Sequence, residues 1–599
     1  MRVRLDGQPA PPQAEAPAPV PRGDSERRLL QVLAGLDAVL PDGTASRQAV
    51  FNALASGRRV RPGFADAWIA AEAPASAETV KEYRTSSASV RLLFPRDGAD
   101  CVYWLSPDEF SLRAAELQLL RDAMAHVRAG GARDVRRATL VHPRRFVEEA
   151  AADFLRGRLP ACGVAEERTT RAARLARVVG RYTVGLGVLE HVLEDPHVTD
   201  IYSDAPCGVA PLYLSTNMAD ARVGDRLATN ITLEPSALSA LVTRARMESG
   251  RPFSEARPHL EHDLEEFGAR LTVIGPPVCP EGVALAIRRH SKNPLTLVQL
   301  VAGGALAPMT AGLLSVLVEG QCSLLIGGAR GAGKTTLLGA LMLEMDAAKR
   351  IVTIEDTMEL PVAAMRQAGF RVQALRVRSA LGGEGEATAD EALKLSLRLG
   401  ESALVVGEVR GAEARTLYEA MRTGAASSAV MGTIHGSPAS AVCARAIHDL
   451  GVPPAAFAAT DAVIIAGLVR PDGARRQVRR VTEVAEVEQR RDTVTTRDLL
   501  REVGPERAPT AESLAVSRLV SKVAAAWGVP TGTVVEEVKA RAELKLRQLA
   551  LARALDRPEL LAAGASVAVN ARYARLRDDG LRGPPLVQAV VDEIRRRWA

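Results

Sequence analysis

The chain has 599 residues, which is enough for about four domains of ordinary size. Hydrophobic residues make up 47% and charged residues 25%, the proportions of a soluble globular protein, so a fibrous or wholly disordered chain is excluded. The excess of 77 basic over 71 acidic side chains gives a net charge of +6, which is too mild to indicate binding to nucleic acid or to an anionic membrane.

The cysteines and the N-terminus indicate the compartment. None of the six cysteines lies in a CxxC pair, so no zinc ribbon is predicted, and thinly spread cysteines are typical of reduced thiols in a cytosolic protein. The first residues lack the apolar core of a signal peptide. Residues 294–318 carry no charge, but their glycines and Pro308 favour a buried turn and helix over a membrane span. We therefore expect a cytoplasmic protein.

In chain order, residues 1–75 are predicted to be a mostly disordered leader with short helices, for example at 28–40. Residues 76–170 are predicted to form an N-terminal α+β region, and residues 171–299 a second α+β domain. The strands predicted in these two regions are 89–94, 101–105, 199–203, 271–274 and 283–287, and the helices are 109–129, 143–158 and 235–249.

Residues 300–490 alternate apolar, β-type runs with helical stretches, as expected of a parallel sheet with helices on its faces. Residues 381–388 within this block are predicted to form a mobile loop. Beyond it, residues 491–599 are predicted to be helical. The strands predicted in the block are 323–326, 350–354, 403–406, 429–434 and 462–465, and the helices of the block and tail are 335–345, 390–399, 511–527, 533–555 and 585–598.

The strongest motif runs from Gly328 to Thr335 and matches the phosphate-binding pattern GxxxxGK[ST] in full. An apolar run precedes it and a helical stretch follows, which is the setting that the motif needs. Glycines let the backbone aim N–H groups at phosphates, Lys334 is predicted to reach the β- and γ-phosphates, and Thr335 to bind Mg²⁺. The alternative is a flexible glycine-rich turn. The predicted nucleotide-binding residues are Gly328, Ala329, Arg330, Gly331, Ala332, Gly333, Lys334, Thr335 and Thr336.

Three of the predicted strands end in groups able to assist phosphoryl transfer. Glu355 and Asp356 follow one strand, Glu408 follows the next, and His435 follows a third. Because ligands of open α/β sheets bind at the carboxyl ends of strands, these groups face the P-loop if the strands are neighbours. The predicted catalytic residues are Glu408, Glu355, Lys334 and His435, and the predicted Mg²⁺ ligands, partly through water, are Thr335, Asp356 and Glu408.

Each of these groups also has a structural interpretation. Glu408 could be a surface carboxylate paired with Arg410. Glu355 and Asp356 could be a solvated strand end or a helix N-terminus, where acidic residues are favoured. His435 could be a hydrogen-bonded structural histidine.

The motifs resemble those of type II/IV secretion ATPases, in the branch of archaeal-type and tight-adherence pilus assembly ATPases. The segment IVTIEDTMEL at 351–360 is similar to the acidic box of that family, GEVRG at 407–411 to its Walker B segment, and 423–436 to its histidine box. Residues 181–202 resemble its N-terminal domain. Two departures are Ala425, where the histidine box often has His, and Glu401-Ser402, where the Walker B segment often opens with Pro-Asp.

The resemblance implies a RecA-like P-loop NTPase core, preceded by an α+β N-terminal domain and followed by a helical C-terminal region. It also implies a homo-hexameric ring, with ATP and Mg²⁺ bound between the N-terminal and ATPase domains. Arginines of the N-terminal domain would close on the phosphates, where a cationic clamp stabilises the charge. The candidates are Arg270, Arg288 and Arg289, followed by Arg244 and Arg246.

We therefore predict a cytoplasmic ATPase, peripheral at the inner face of the cell membrane. It would dock on an integral membrane platform protein and power the export or assembly of pilin-like subunits, with neither nucleic acid nor zinc as a partner. Two other functions stay open. A nucleic-acid translocase or conjugation-type motor would be expected to have a basic stripe with interleaved aromatics, which the sequence lacks. The intact Lys334, Thr335 and Glu408 argue against a nucleotide-gated scaffold that does not hydrolyse ATP.

Overall fold

The computed structural model describes residues 59–70, 72–74, 76–95, 101–134, 143–159, 165–218, 226–290, 293–377, 387–400, 403–422, 429–473, 477–491, 493–501 and 508–598. The predicted helix at 28–40, most of the predicted loop at 381–388 and the start of the histidine box at 423–425 lie outside these residues.

The N-terminal half contains twelve described strands, most of which form one mixed sheet. Its strands are β1 (Arg59–Val60), β2 (Ala67–Ala70), β3 (Ala77–Arg84), β4 (Ala88–Pro95), β5 (Val102–Pro107), β6 (Val198–Ser203), β7 (Tyr213–Thr216), β8 (Arg226–Thr229), β9 (Ile231–Leu233), β10 (His259–Leu264), β11 (Ala269–Ile274) and β12 (Ala284–Arg289). Nine of these described strands are joined in the order β10-β11-β12-β6-β7-β8-β5-β4-β3. The sheet thus takes strands from both predicted N-terminal regions, and the position of the domain boundaries stays a prediction.

A smaller sheet joins the predicted leader to this half. Strand β2 pairs with both β1 and β9, and its Ala67 lies opposite Leu233. Ala67 and Ile69 are buried in the same hydrophobic core as the large sheet. Residues 67–70 of the predicted disordered leader therefore form a buried strand instead. A run of four residues is too short to show the alternating pattern of a strand.

The helices of this half are α1 (Ala114–Asp134), α2 (Pro143–Arg158), α3 (Ala165–Thr183), α4 (Leu189–Glu194) and α5 (Pro235–Ser249). Helices α1, α2 and α3 pack around a core of their own that includes the fully buried Leu120, Leu155 and Leu175. Helices α2 and α5 have the predicted bounds, whereas α3 was not predicted. The signal was present in the sequence, since the buried residues Ala172, Leu175, Ala176 and Val179 recur at helical spacing among arginines and glutamates.

The second half is built around a sheet whose strands are β13 (Leu324–Gly328), β14 (Arg350–Glu355), β15 (Arg371–Arg376), β16 (Ala403–Val406), β17 (Val430–His435), β18 (Ala462–Val469), β19 (Val478–Arg490) and β20 (Thr493–Arg501). Among the described strands the order is β15-β14-β16-β17-β13-β18-β19-β20. In this order, the six strands from β15 at one edge through β14, β16, β17 and β13 to β18 are parallel to one another. Every residue of β13 and β16 is buried, as the near-continuous apolar runs predict.

The hairpin β19–β20 extends this sheet in antiparallel fashion and was not predicted, and β20 falls in the region 491–599, for which helices were predicted. Its strands carry charged residues at exposed positions and also at buried ones, among them Glu483 and Glu486, so they lack the continuous apolar run of the central strands. The hairpin brings Arg479, at the start of β19, close to the P-loop.

The helices of the second half are α6 (Leu297–Ala302), α7 (Pro308–Glu319), α8 (Lys334–Met342), α9 (Val362–Gln367), α10 (Ala389–Ser396), α11 (Glu413–Arg422), α12 (Ala439–Ala444), α13 (Pro454–Phe457), α14 (Ala511–Ala515), α15 (Arg518–Trp527), α16 (Thr531–Ala554), α17 (Ala563–Asp578) and α18 (Gly583–Trp598). Together with the parallel sheet they confirm the predicted fold class, a RecA-like core after an α+β domain and before a helical C-terminal region.

The uncharged stretch at 294–318 contains α6 and α7, which are largely buried. Thr296 begins α6 as a capping box with Gln299, and Pro308 occupies the first turn of α7, where its missing N–H costs nothing. In the part of the chain that the structure describes, no helix is long and apolar enough to cross a membrane.

The C-terminal helices pack directly onto this core. A Cβ atom on Gly312 of α7 would lie 2.3 Å from the carbonyl oxygen of Val538, so only glycine allows α16 to approach this closely. Buried ion pairs also join the C-terminal helices to the core, among them the pair between Nζ of Lys545 in α16 and Oε1 of Glu344 at 2.8 Å. The helix predicted at 511–527 is divided into α14 and α15 because Ser517 caps the second segment.

We expect Lys545→Met to destabilise the protein by about 3–5 kcal/mol, because it leaves the buried Glu344 without its cation. Both side chains are less than 10% exposed, and Ser315 donates the second hydrogen bond to Glu344. Burial alone would raise the pKa of Glu344, but Lys545 holds it below its ordinary value, so this stabilisation is lost as the pH falls.

Chemical denaturation of the two variants checks this expectation. Lys539→Met, at an exposed pair on the same helix, is the control and should cost less than about 1 kcal/mol. The double variant Lys545→Met with Glu344→Met should recover much of the lost stability. Equal losses at Lys545 and Lys539 would contradict the importance of the buried pair.

Candidate functional site

The predicted phosphate-binding loop lies between the central strand β13 and helix α8. Gly328, Gly331 and Gly333 have φ angles of 150°, 78° and 95°, which side chains strongly disfavour. A Cβ on Gly328 would also lie 2.3 Å from the carbonyl oxygen of Ala466. The loop therefore keeps the tight backbone path of a phosphate cradle, and its N–H groups lead into the N-terminus of α8.

Lys334 begins α8 and is only 9% exposed. Its Nζ donates to the carbonyl oxygen of Ala329 at 3.1 Å, and the N–H of Ala332 reaches the same oxygen at 3.3 Å. Burial lowers the pKa of Lys334, while the carboxylates of Glu408 and Glu359 act in the opposite direction. A buried ammonium whose hydrogen-bond partners are a carbonyl oxygen and, as described below, the His435 ring is well suited to receive an anion.

The other predicted residues of the loop are distributed around it. Ala332 is buried under the loop, and Thr335 is half-buried in the first turn of α8 beside Lys334. Ala329, Arg330 and Thr336 are exposed. Of the two adjacent threonines, Thr335 is thus more shielded from solvent than Thr336.

Three predicted side chains form a connected row across neighbouring strands. Nδ1 of His435 lies 3.4 Å from Nζ of Lys334, and Nε2 of His435 lies 2.8 Å from Oε1 of Glu408. Burial, assisted by the charge of Lys334, lowers the pKa of His435 below its ordinary value. The ring is therefore neutral at pH 7, so that Nδ1 accepts from the ammonium and Nε2–H donates to the carboxylate. His435 orients Glu408 in this row.

Glu355 lies beside this row and is 3% exposed. Its Oε1 accepts the N–H groups of Glu359 and Leu360 at 2.9 and 2.8 Å, whereas its buried Oε2 has no hydrogen-bond partner among the residues that the structure describes. Burial raises the pKa of Glu355 to about 7, although the two backbone hydrogen bonds lower it. A carboxyl group with this pKa can exchange a proton near neutral pH.

Asp356 follows Glu355 and is held by an arginine. Its Oδ2 accepts from Arg410 at 2.6 Å, and Arg410 is 3.9 Å from Glu408. The pairing of Glu408 with Arg410 that the sequence left open is thus the longer of the two contacts. A cavity of about 250 Å³ lies beside Glu355, Asp356 and Glu408.

Arg288 is an exposed residue near the end of β12. It pairs with Asp200 at 2.9 Å; burial lowers its pKa, but Asp200 and, more weakly, the carboxylate of Glu359 raise it above its ordinary value. Glu359 belongs to the second half and also acts on the pKa of Lys334, so Arg288 and the P-loop lysine interact with the same carboxylate. Arg270 of β11 lies opposite Arg288 of β12 in the strand register. Arg270 also lines a small gap between the two halves, and Asp356 lines the same gap.

Arg289 is placed differently from its neighbour. Successive residues of a strand point to opposite faces, and the guanidinium of Arg289 donates to the backbone carbonyls of Asp195 and Val198. Arg244 donates to the carbonyl of Val184, also within the N-terminal half. The structure therefore brings Arg288 and Arg270 to the cleft and holds Arg289 and Arg244 against the backbone elsewhere.

One further contact at the cleft was not found from the sequence. Arg376, at the end of β15, pairs with Asp263 of β10 at 2.6 Å and joins the two halves. The two residues are 113 positions apart, and no local motif links them, so the sequence offered no signal.

We expect Glu355→Gln to be more stable than the wild type at pH 8, by on the order of 2 kcal/mol. A carboxyl group whose pKa is raised by folding stabilises the folded state below its unfolded pKa and loses this effect as the pH passes its folded pKa of about 7. Gln stays neutral and can still accept both backbone N–H groups.

Denaturant unfolding of both proteins between pH 5 and pH 8 tests this expectation, and the gap should shrink toward pH 5. Glu536→Gln, at a largely exposed side chain, is the control and should show no trend with pH. A gap that does not change with pH would contradict the raised pKa.

Comparison with known proteins agrees with the resemblance of the sequence motifs to secretion ATPases. Residues 215–527, more than half of the chain, match the family model described as Type II/IV secretion system protein. A protein of Mycobacterium tuberculosis, provisionally named a conjugal transfer protein, is 32% identical over 321 residues, which cover 52% of this chain and 87% of that protein. The conjugal transfer protein TrbB of Rhizobium radiobacter is 27% identical over 223 residues, 36% of this chain and 64% of that protein.

Solved structures are more distant. The VirB11 ATPase of the Brucella suis type IV secretion system, in complex with sulphate, is 21% identical and has a TM-score of 0.25, covering 50% of this chain and 92% of that chain. The ATPase DotB of Legionella pneumophila is 15% identical with a TM-score of 0.36, covering 68% of this chain and 94% of that chain.

Proposed function

Because the chain belongs to the type II/IV secretion system protein family, we propose that it is a Mg²⁺-dependent ATPase that powers the movement of protein subunits through a membrane platform. One observation carries the proposal. The P-loop lysine, His435 and Glu408 lie in one hydrogen-bonded row at the carboxyl edge of a parallel sheet, with Glu355 beside them. This edge is where open α/β sheets bind ligands.

The loop fits the phosphates of a nucleotide. Its glycines have the backbone angles of a cradle, and Lys334 supplies a buried positive charge. Thr335, Asp356 and Glu408 are the oxygen ligands that would hold Mg²⁺, partly through water, which requires Asp356 to give up part of its contact with Arg410. Mg²⁺ would neutralise charge on the transferring phosphoryl group.

The carboxylates of Glu408 and Glu355 have different roles in the proposed hydrolysis. Glu408, held by His435, orients the attacking water, and Glu355, with its pKa of about 7, is placed to accept a proton near neutral pH. Arg288 and Arg270 of the N-terminal half extend into the cleft and would close on the phosphates as the two halves approach. Closure and release of the cleft would couple hydrolysis to domain motion.

The family also suggests how the motor is assembled. We propose a homo-hexameric ring at the cytoplasmic face of the membrane, docked on an integral platform protein. Its substrates would be pilin-like or secreted subunits.

A second function is favoured by the names of two relatives, which are conjugal transfer proteins. A conjugation-type motor on the same core would act in the transfer of nucleic acid. The mild net charge of +6 supports this alternative only weakly.

The test is ATP hydrolysis by the purified full chain, with and without Mg²⁺ and with and without DNA. We expect Mg²⁺-dependent turnover that DNA leaves unchanged. Stimulation by DNA would favour the conjugation-type motor. Nucleotide binding without turnover, in the presence and absence of a reconstituted membrane fraction, would favour a nucleotide-gated scaffold and contradict the proposal.

A further inference from the structure

A side chain of the edge hairpin β19–β20 contacts the P-loop from outside. Nε of Arg479 donates a hydrogen bond to the carbonyl oxygen of Gly331 at 2.8 Å. Arg479 lies opposite Leu468 of β18, which is the direct neighbour of the P-loop strand β13. The contact therefore joins the middle of the nucleotide loop to a hairpin that has no role in the site described above.

The hydrogen bond sets the direction of one peptide group. In a planar trans peptide, the C=O and the N–H point in opposite directions. The carbonyl of Gly331 accepts from Arg479, and the N–H of the same peptide, on Ala332, points the other way and donates to the carbonyl of Ala329 at 3.3 Å. A phosphate bound in a loop of this kind uses such backbone N–H groups, so it would replace this long internal bond.

Apart from these two hydrogen bonds, the described part of the chain gives Gly331 little support. Its φ angle is 78°, and no atom of the described residues, chain neighbours aside, lies within 4 Å of the position that a Cβ would occupy. The stem of Arg479 also passes Gly333, since its Cδ is 3.5 Å from the corresponding position there. One arginine thus lies beside two glycines of the loop that have positive φ angles, Gly331 and Gly333.

We propose that Arg479 is a positioning residue that holds the peptide between Gly331 and Ala332 in its phosphate-binding orientation and thereby raises the affinity for nucleoside di- and triphosphates. It acts through the carbonyl of Gly331 and not by touching the nucleotide. The inference rests on the proposed function, because it requires a nucleotide in the P-loop. Arg479 is exposed, so its substitution removes a hydrogen bond and not core packing.

Three substitutions separate the hydrogen bond from the charge. Arg479→Gln places an N–H donor at the atom position of Nε without a positive charge. Arg479→Met keeps the apolar stem with neither donor nor charge, and Arg479→Lys keeps the charge with a carbon at that position. Arg480→Ala, on the opposite face of the same strand and opposite Gly467, is the matched control.

The measurements are the Kd of Mg-ADP by calorimetry and the KM and kcat for ATP, all on the full chain. We expect the Met and Lys variants to raise Kd and KM about 5–10-fold with little change in kcat, as loss of a ground-state binding contact predicts. The Gln variant and Arg480→Ala should stay within about twofold of the wild type. Thermal unfolding of each variant should match that of the wild type.

Wild-type affinity in the Met variant would overturn the inference. Weak binding by the Gln variant at normal thermal stability would also overturn it, because a donor at the position of Nε would then not be sufficient and the charge would matter. A similar loss in all three variants with lower thermal stability would assign Arg479 a purely structural role. If the wild type itself does not bind Mg-ADP, the proposed function fails and this inference with it, whereas normal wild-type binding with an unaffected Met variant removes this inference alone.

Discussion

Substitution of Lys334 by alanine is expected to reduce ATP turnover by at least about 10²–10³-fold and to weaken nucleotide binding strongly. Lys334 is the buried cation at the start of α8, and its Nζ donates to the carbonyl oxygen of Ala329 and to Nδ1 of His435. Removing the ammonium leaves the loop without the charge that the β- and γ-phosphates require. The measurement is steady-state hydrolysis together with direct binding of Mg-ADP.

Two further variants make this test specific. Lys334→Arg keeps a positive charge but replaces the compact ammonium beside His435 by a larger, planar guanidinium, so we expect little recovery. Lys539→Ala, at an exposed position of α16, should behave as the wild type. Turnover by Lys334→Ala within a few-fold of the wild type would show that the P-loop is not the site of hydrolysis.

The second large effect is expected at Glu408. Glu408→Gln should lower kcat by about 10²–10⁴-fold while nucleotide binding is retained. The amide oxygen of Gln can still accept the hydrogen bond that Nε2 of His435 now donates to Glu408 at 2.8 Å, so the row of side chains is preserved. The negative charge that orients water and assists Mg²⁺ is lost.

The readout at Glu408 also separates the motor from a scaffold. Binding with greatly reduced turnover supports a catalytic carboxylate. Glu419→Gln, on the exposed face of α11, is the control and should not change kcat. If Glu408→Gln loses binding and turnover together, the carboxylate acts mainly in holding the nucleotide, and its assigned role in hydrolysis is wrong.

Much of the site follows from the order of residues along the chain. The P-loop pattern is local, and its strand, glycines and helix are consecutive, so the sequence by itself predicted this element and its lysine. The runs that end at Glu355, Glu408 and His435 are apolar enough to be buried on both faces, which identified them as central strands. Their positions at the carboxyl ends then predicted one common edge.

Only the tertiary structure decided which side chains meet at that edge. The order β14-β16-β17-β13 makes the three strands neighbours, and it depends on how the helices cross the sheet and not on any single run. The same holds for the arginines. The neighbours Arg288 and Arg289 point in opposite directions because a strand alternates its faces, and the sequence alone does not say which face meets the P-loop.

Contacts between residues that are far apart in the sequence were the ones that the sequence predicted least. The distances in sequence are 148 residues from Arg479 to Gly331 and 201 from Lys545 to Glu344, and neither pair belongs to a repeating pattern. Local sequence sets backbone angles and the apolar faces of elements, because these depend on neighbouring residues. Hydrogen bonds and ion pairs between elements form only after those faces have packed together, so the tertiary structure decided them.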